Sequence, residues 1–336
     1  MISLSKKVGI DLGTANSLVY VAGEGVVMSE PTVVAVGLDD DKVVAVGDEA
    51  REMLGRTPGN IMASRPMRDG VIADYRVTEA MLRYFMQKVS GRGGLFKPEV
   101  LVSVPAGVTQ VERRAVYNAT VSAGARTVYM IDEPLAAAIG AGVPIGEPSG
   151  NMVMSMGGGS SEAAVISLGG VVVSRGVRVA GNRIDEAIAS YIRRKHNLVV
   201  GEQTAEAIKL KIGSAIPLKK DEVMEVKGRD SVAGLPRNVE ITSREVTEAI
   251  AQPLGKVIEM IKRVLEEVPP ELSSDIIDKG IVMTGGTAQL RNLDRLITEQ
   301  TNVPAYVAEE PMLCVVKGTG VVLENLDLYK RSLSTR

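Results

Sequence analysis

The sequence predicts an α/β protein with two duplicated lobes and a cleft between them. A hairpin pattern of strand, turn and strand occurs twice, as VGIDLGTANSLVYV at 8–21 and as VMSMGGGSSEAAVI at 153–166. In both halves the hairpin comes first and alternating strands and helices follow, which is the order of a mixed sheet covered by helices. The 336 residues are enough for two lobes with separate cores.

Hydrophobic periodicity places the individual elements. Runs rich in Val and Ile predict strands at 8–22, 26–37, 42–47, 99–104, 127–131, 151–156, 163–167, 170–178 and 279–283. Apolar residues at helical spacing predict helices at 77–90, 109–123, 134–141, 183–196, 202–214, 244–267 and 288–299. Two prolines and three glycines predict a hinge between the lobes at 142–151. A polar insertion with a hairpin is predicted at 217–241, and 268–274 is interpreted as a spacer between two helices.

Composition excludes several classes of protein. A net charge of −2, with basic residues scattered along the chain, argues against a nucleic-acid-binding protein. The single cysteine, Cys314, excludes an internal disulfide, and the single histidine, His196, excludes a usual zinc site. Cys314 is expected to be a buried apolar residue and His196 a solvated helix end. The first strand begins within seven residues and no apolar run reaches about 18 to 20 residues, so a cytoplasmic protein is expected.

The turn of the first hairpin has the chemistry of a phosphate-binding loop. Gly13 permits a tight backbone, and the N–H groups and side chains of Thr14, Ala15 and Asn16 can face phosphate oxygens. Asp11, at the end of the strand, could hold Mg²⁺ through water, because Mg²⁺ takes few carboxylates and keeps its waters. Taken alone, the same residues also fit an ordinary hairpin turn.

Two further glycine turns strengthen this interpretation. The second hairpin carries three successive glycines, which are costly unless another group must approach the backbone closely; the turn comprises Gly157, Gly158, Gly159, Ser160 and Ser161. The segment MTGGTAQL at 283–290 follows a predicted strand and opens a predicted helix, whose N–H groups could meet phosphate or a nucleoside. By itself, that segment indicates only a helix N-terminus.

A single carboxylate is the candidate catalytic group. Glu133 begins a predicted helix, IDEPLAAAIG at 131–140, whose small residues permit close packing. A carboxylate at this position also stabilises a helix N-terminus, and this structural role is sufficient to explain it. The catalytic interpretation is that Glu133 orients a water molecule for attack on a γ-phosphate.

Together, these features occur in the order and spacing of the actin-like ATPases, the superfamily that also contains sugar kinases and the seventy-kilodalton heat-shock chaperones. More narrowly, the chain resembles the MreB family of bacterial cell-shape proteins over essentially its whole length. The stretches that carry this resemblance are IDLGTAN (10–16), RPMRDGVIADY (65–75), LFKPEVLVSVPAGVTQVERRAV (95–116), EPLAAAIG (133–140), RVAGNRIDEAI (178–188) and TAEAIKLKIGSA (204–215).

The resemblance implies an actin-like ATPase fold, in which each lobe has a ribonuclease H-like core and a smaller inserted subdomain, with ATP and Mg²⁺ in the cleft. Lobe I is then residues 1–145, with residues 317–336 packing back on it. Lobe II is residues 146–316, with its inserted subdomain at about 182–243. These two names are used below for these ranges.

By matched motif, the resemblance also implies site residues. Glu133 and Asp11 would be catalytic, with Asp11 reaching Mg²⁺ through water. The residues implied to contact the nucleotide are Gly13, Thr14, Ala15 and Asn16 in the first turn, Gly157, Gly158, Gly159 and Ser160 in the second turn, and Glu206, Lys209, Gly285, Gly286 and Thr287 around the nucleoside.

Three positions depart from the family pattern. The second turn reads SMGGGSSE where the family usually has DIGGGTTE, so Ser155 replaces an acid. Asn182 stands where the family usually has Asp, and Thr287 replaces a glycine. Losing the acid at 155 would weaken the shell around Mg²⁺ and the attacking water. The hypothesis from sequence is therefore that the chain binds ATP and hydrolyses it slowly or not at all.

The resemblance further implies protofilaments that pair antiparallel, lie on the inner face of the cytoplasmic membrane and meet membrane proteins of the elongation complex. The loop GRGGLFKPE at 91–99 would insert Leu95 and Phe96 into the membrane, where an apolar tip beside basic residues suits an anionic interface. A loop that packs both side chains inward is the alternative. One such tip is a weak anchor, and a filament presents many together.

The principal hypothesis is thus a cytoskeletal filament protein that directs cell-wall synthesis and rod shape. The main alternative is an accessory paralogue that lacks hydrolysis and copolymerises with an active relative. A kinase of the same superfold would need a substrate pocket with a catalytic Asp near the second turn. A chaperone ATPase would need a peptide-binding domain beyond residue 336.

Overall fold

The computed structural model describes residues 5–39, 42–90 and 97–334. The strands are β1 (Lys7–Leu12), β2 (Asn16–Val21), β3 (Gly25–Pro31), β4 (Val34–Gly37), β5 (Val43–Val46), β6 (Ile61–Ser64), β7 (Met67–Arg68), β8 (Val71–Ile72), β9 (Glu99–Val104), β10 (Thr127–Asp132), β11 (Asn151–Met156), β12 (Ser161–Ser167), β13 (Gly170–Val177), β14 (Leu198–Val199), β15 (Val223–Asp230), β16 (Pro236–Thr242), β17 (Ile281–Thr284) and β18 (Ala305–Val307). The helices are α1 (Asp48–Met53), α2 (Tyr75–Ser90), α3 (Gln110–Ser122), α4 (Glu133–Gly140), α5 (Gly181–His196), α6 (Glu202–Ile212), α7 (Ser243–Glu267), α8 (Pro270–Lys279), α9 (Leu293–Thr301), α10 (Cys314–Glu324) and α11 (Leu326–Tyr329).

Two five-stranded sheets of the same design form the centre of the molecule. The first has the order β10-β9-β1-β2-β3 and the second has the order β13-β12-β11-β17-β18. In each sheet three antiparallel strands are joined to two parallel strands. Asp11 and Ser155 occupy the same place, the next-to-last residue of the central strand. The duplication predicted from the repeated hairpin is confirmed.

Amphipathic helices cover the sheets. Helix α2 buries an apolar stripe at helical spacing against the first sheet, and α7 does the same against the second. The buried residues of these stripes are Val77, Met81, Leu82, Phe85, Met86 and Val89 in α2 and Val246, Ile250, Leu254, Val257, Ile261 and Val264 in α7. Burying one such side chain contributes about 1.5 to 3 kcal/mol. The stripes therefore fix each helix on its own sheet.

Two smaller three-stranded sheets accompany the central ones. Strands β5, β4 and β6 form one with α1 packed on it, and β14, β15 and β16 form the other beside α6. The polar hairpin predicted at 217–241 is confirmed as β15 and β16, which pair antiparallel from Val223 to Arg229. Helix α1 and strand β6 were absent from the prediction.

Helices α4 and α10 cross at unusually close range. A Cβ added at Gly140 would lie 1.7 Å from the Cys314 carbonyl oxygen, and one at Gly318 would lie 1.9 Å from the Ala136 carbonyl oxygen. Only glycine allows the two backbones to approach this closely. Helix α10 also packs on β1, β2 and β9. Helix α10 therefore packs closely on both the first sheet and α4, the helix that begins with Glu133.

Several predictions about local structure were wrong or incomplete. Residues 270–279, partly assigned to a spacer, form α8, and the helix predicted at 288–299 is a 3-10 helix at Gly286–Gln289 followed by α9. His196 is not a solvated helix end, because its Nε2 lies 2.7 Å from Glu245 Oε1 and its side chain is largely covered. The expected burial of Cys314 is confirmed.

Two features bear on membranes. Within the described ranges, none of the helices has both the length and the apolar character needed to cross a bilayer. The proposed membrane tip, Leu95 and Phe96, lies outside the described residues.

Candidate functional site

A cavity of about 460 Å³ lies where the two hairpin turns face each other. Every catalytic and nucleotide-contacting residue predicted from the sequence lines it. These are Asp11, Gly13, Thr14, Ala15, Asn16, Glu133, Gly157, Gly158, Gly159, Ser160, Glu206, Lys209, Gly285, Gly286 and Thr287. The structure thus brings together residues that are far apart in the sequence, although their roles toward a ligand stay predictions.

The two hairpin turns touch each other at the centre of this cavity. A Cβ added at Gly159 would lie 2.3 Å from Thr14 Oγ1, and one at Gly158 would lie 2.6 Å from the Ala15 Cβ. The Gly70 N–H donates a hydrogen bond of 2.9 Å to Thr14 Oγ1. Two glycines of the second turn, Gly158 and Gly159, are therefore explained by the close approach of the first turn.

Two carbonyl groups of the second turn accept hydrogen bonds from residues outside the turn. The Gly157 oxygen accepts hydrogen bonds from the Gly181 N–H at 3.2 Å and from Thr287 Oγ1 at 2.7 Å. The Gly158 oxygen accepts from the Asn182 N–H at 2.8 Å. Thr287, a departure from the family pattern, therefore ties the third glycine turn to the second. These hydrogen bonds fix the backbone of the turn, so its N–H groups are available to bind an anion.

A buried ion pair lies at the other end of the cavity. Lys209 Nζ donates a hydrogen bond of 2.9 Å to Asp185 Oδ2, and both side chains are nearly covered. Burial raises the pKa of Asp185 to about 6, and the neighbouring Lys209 opposes that rise. Asp185 thus orients the Lys209 ammonium at the edge of the cavity, where the sequence predicts the nucleoside.

Two carboxyl groups, Asp11 and Glu133, line the cavity, and a third, Glu162, lies near Glu133 without lining it. Burial and the neighbouring Glu133 raise the pKa of Asp11 to about 7, and Ser103 Oγ opposes the rise by donating to Asp11 Oδ1 at 3.0 Å. Burial also raises the pKa of Glu133. Burial and Glu133 raise the pKa of Glu162 to about 8, although the Ala106 N–H donates to its Oε2 at 3.0 Å. Burial and the neighbouring carboxyl groups therefore favour the protonated forms of Asp11 and Glu162.

Ser155, which stands where the family usually has an acid, directly contacts Glu133, the candidate catalytic residue. Ser155 Oγ donates a hydrogen bond of 2.7 Å to Glu133 Oε1, and Ser155 is only 2% exposed. This bond lowers the pKa of Glu133 and so opposes the effect of burial.

Helix α6 also reaches across the mouth of the cavity to lobe I. Arg51 Nη2 donates to Glu206 Oε2 at 2.9 Å, and Arg65 Nη2 donates to Glu202 Oε1 at 2.7 Å. Gln203 Nε2 donates to the Arg51 carbonyl oxygen at 3.2 Å. We call these five residues the α6 clasp. Glu206, predicted to line the nucleoside, therefore also has a partner on the opposite lobe.

Sequence reasoning missed several residues of this site. Glu162 lies directly opposite Ser155 in the pairing of β11 with β12, so the register of the predicted hairpin could have located it. Ser103 is the next-to-last residue of the strand predicted at 99–104, which pairs with the strand that carries Asp11, and this is a weaker signal. Arg51 comes from a part of the chain without a recognisable motif. Arg65 begins the stretch RPMRDGVIADY, which carries the family resemblance but assigns no role to this residue.

Comparison with known proteins agrees with this geometry. A model of the MreB/Mbl protein family matches residues 5–331. The cell shape-determining protein MreB of Escherichia coli (strain K12) is 52% identical over 330 residues, which are 97% of this chain and 95% of that protein. The cell shape-determining protein Mbl of Bacillus subtilis (strain 168) is 50% identical over 331 residues, or 98% of this chain and 99% of that protein.

Solved structures show the same relationship in three dimensions. MreB5 of Spiroplasma citri, crystallised with AMPPNP, is 36% identical with a TM-score of 0.91, covering 97% of this chain and 98% of that chain. A MamK double helical filament is 22% identical with a TM-score of 0.81, covering 95% of this chain and 99% of that chain, and it supports the fold alone.

The two matching sheets and these likenesses confirm the predicted actin-like α/β fold. The match of the family model and the identity near 50% extend over almost the whole chain. The chain belongs to the MreB/Mbl family.

Proposed function

We propose that this chain is a bacterial cytoskeletal protein that binds ATP, polymerises into membrane-associated filaments and organises cell-wall synthesis to set rod shape. The observation that carries the proposal is the cavity between two opposed glycine turns, lined by all the predicted nucleotide contacts. The relatives named cell shape-determining proteins, and MreB5 structures bound to AMPPNP and to ADP, support it. These relatives do not favour the accessory-paralogue alternative.

The cavity suggests how the nucleotide would lie. The phosphates would sit between the first and second turns, whose N–H groups suit an anion. The nucleoside would sit between Lys209 and Glu206 on α6 and the third glycine turn at Gly285, Gly286 and Thr287. Glu133, at the N-terminus of α4, would orient the attacking water.

Asp11, which lines the cavity, suits Mg²⁺, because Mg²⁺ takes one or two carboxylates and completes its shell with water and phosphate oxygens. Among the described residues no three acidic, His or Cys side chains lie together as a metal site, so Asp11 would be the main protein contact of the ion. Asp11 would hold the ion through water, as expected from the sequence. When bound, Mg²⁺ supplies neutralising charge to the phosphates.

We also propose the lobe boundaries inferred from the resemblance, with lobe I at residues 1–145 and 317–336 and lobe II at 146–316. The segment between α4 and β11 contains neither helix nor strand, which supports a hinge at 142–151.

A single-turnover assay tests the nucleotide half of the proposal. Bound ATP would be followed to ADP with Mg²⁺ present, while light scattering reports assembly. Binding of ATP with filament formation is the expected result. Failure to bind ATP, with assembly unaffected by nucleotide, would contradict the proposal.

The membrane half of the proposal concerns Leu95 and Phe96, in a cytoplasmic protein held at the inner face of the membrane. Changing both residues to Ser should abolish cosedimentation of assembled protein with anionic vesicles and leave light scattering unchanged. Val232→Ser with Leu235→Ser is the matched control, because these residues are 83% and 66% exposed on the turn between β15 and β16. Retained vesicle binding by the Leu95 and Phe96 variant would reject this loop as the anchor.

A further inference from the structure

A serine hydroxyl at position 155 can donate a hydrogen bond to the Glu133 carboxylate, whereas an ionised acid at this position would repel it. Ser155 lies on β11 between Glu162 on β12 and Thr284 on β17, and this pairing on both sides fixes its position. From that position its hydroxyl donates to Glu133 Oε1 at 2.7 Å. An Asp there could only repel an ionised Glu133 or share a proton with it.

The surroundings of Glu133 make that donor important. Asp11 on β1 and Glu162 on β12 are the neighbouring carboxyl groups, and both interact electrostatically with Glu133. Asp132, next to Glu133 in the chain, pairs instead with Arg113 at 2.7 Å. With two acids nearby, a Glu133 carboxylate without a donor would take up a proton or turn away.

We propose that Ser155 is a positioning residue that holds the Glu133 carboxylate in place for hydrolysis. This inference rests on the proposed ATP-binding function. It also reverses the hypothesis from sequence that losing the acid at 155 disables hydrolysis.

The chemical step assigns a separate task to each Glu133 oxygen. The oxygen of the attacking water forms a bond to the γ-phosphorus, and the bond from that phosphorus to the β,γ-bridging oxygen breaks, releasing ADP. One proton of the water passes to Glu133. Because Oε1 accepts from Ser155, Oε2 is the oxygen that faces the water and takes this proton.

The test compares Ser155→Ala, Ser155→Thr and Ser155→Asp with the unchanged chain, by measuring single-turnover hydrolysis and ATP affinity separately. Ser155→Ala should slow hydrolysis by about 10- to 100-fold, the cost of a misplaced catalytic group. It should change ATP affinity much less, because the hydroxyl does not lie on a glycine turn. Ser155→Thr keeps the hydroxyl and should retain most of the rate, whereas Ser155→Asp should not increase it.

Two further readouts separate positioning from a merely structural role. In the background of Glu133→Gln, the additional change Ser155→Ala should cost nothing more if Ser155 acts through Glu133. In Ser155→Ala, the acid limb of the pH profile should move to higher pH, because Glu133 has lost the donor that favours its ionised form.

The outcomes are distinct. Equal rates for Ser155→Ala and the unchanged chain, or faster hydrolysis by Ser155→Asp, would overturn the inference. Binding of ATP without measurable turnover in the unchanged chain would also overturn it and leave the nucleotide-binding proposal intact. Absence of ATP binding would instead remove the proposed function itself.

Discussion

Replacing Gly318 by Ala tests the crossing of α4 and α10. The new Cβ would lie 1.9 Å from the Ala136 carbonyl oxygen and 2.7 Å from the Ala136 carbonyl carbon, both backbone atoms that cannot rotate away. Ordinary contacts of carbon lie at about 3.5 Å or more, so the helices must separate by more than about 1 Å. Gly140 is equally tight toward Cys314 on α10, so tilting one helix on the other gives little relief.

The size of the effect follows from two opposing contributions. Overpacking of this kind costs about 1 to 3 kcal/mol. Alanine in place of glycine in a helix regains about 1 kcal/mol. The net loss of up to about 2 kcal/mol should lower the Tm by up to about 3 °C, because the unfolding entropy of a 336-residue chain is large. Because Ala136 is one turn from Glu133, ATP hydrolysis should fall as well, beyond what the lower stability explains.

Calorimetry and the single-turnover assay measure these two effects. Gly255→Ala in α7 is the control, since Gly255 is exposed and a Cβ there meets no atom within 4 Å. It should raise the Tm through helix propensity alone. If Gly318→Ala gained stability as Gly255→Ala does, the close crossing described here would be wrong.

Three further predictions concern the cavity. Charge reversal of Glu202 to Lys should speed release of ATP by up to about fivefold, since one exposed ion pair is worth at most about 1 kcal/mol, and high salt should reduce the difference. The nucleotide-free protein should lose thermal stability as the pH rises from about 4 to about 8, because Asp11 and Glu162 have folded-state pKa values of about 7 and about 8, above those of the unfolded chain. Lys209→Met should weaken ATP binding and lower the Tm, because it leaves a carboxylate buried without its cation.

Each of these predictions has its own control. Arg65→Glu combined with Glu202→Arg should restore slow release, and failure to do so would show that the α6 clasp does not act through charge. Glu162→Gln should flatten the pH dependence of the Tm, and an unchanged slope would contradict the assigned cause. Lys209→Met combined with Asp185→Asn should recover stability without recovering ATP affinity.

The residues that line the cavity could be predicted from their types and spacing. The contacts that hold those residues in place could not, because they depend on tertiary packing. The three glycine turns and the carboxylates Asp11 and Glu133 stood out because their types and spacing suit phosphate and Mg²⁺. The hydrogen bond from Ser155 to Glu133 could not be foreseen, since a sequence shows the lost acid but not the direction of the side chain that replaces it.

Helix α10 shows why some elements escaped prediction. Its sequence, CVVKGTGVVLE, combines glycine with β-branched residues, which disfavour a helix in isolation. Almost all of it is buried, so no polar face marks a helical period. Packing against α4 overrides the local propensity, and that packing depends on residues about 180 positions earlier in the chain.

The path of the chain limits how the lobes can move. The backbone passes from the first sheet to the second after α4, and it returns from β18 to the first sheet through α10. Rotation of one sheet relative to the other about the line through these two connections strains neither of them, whereas sliding or separation strains both. The first and second glycine turns belong to different sheets, so such a rotation changes the distance between these turns at the cavity.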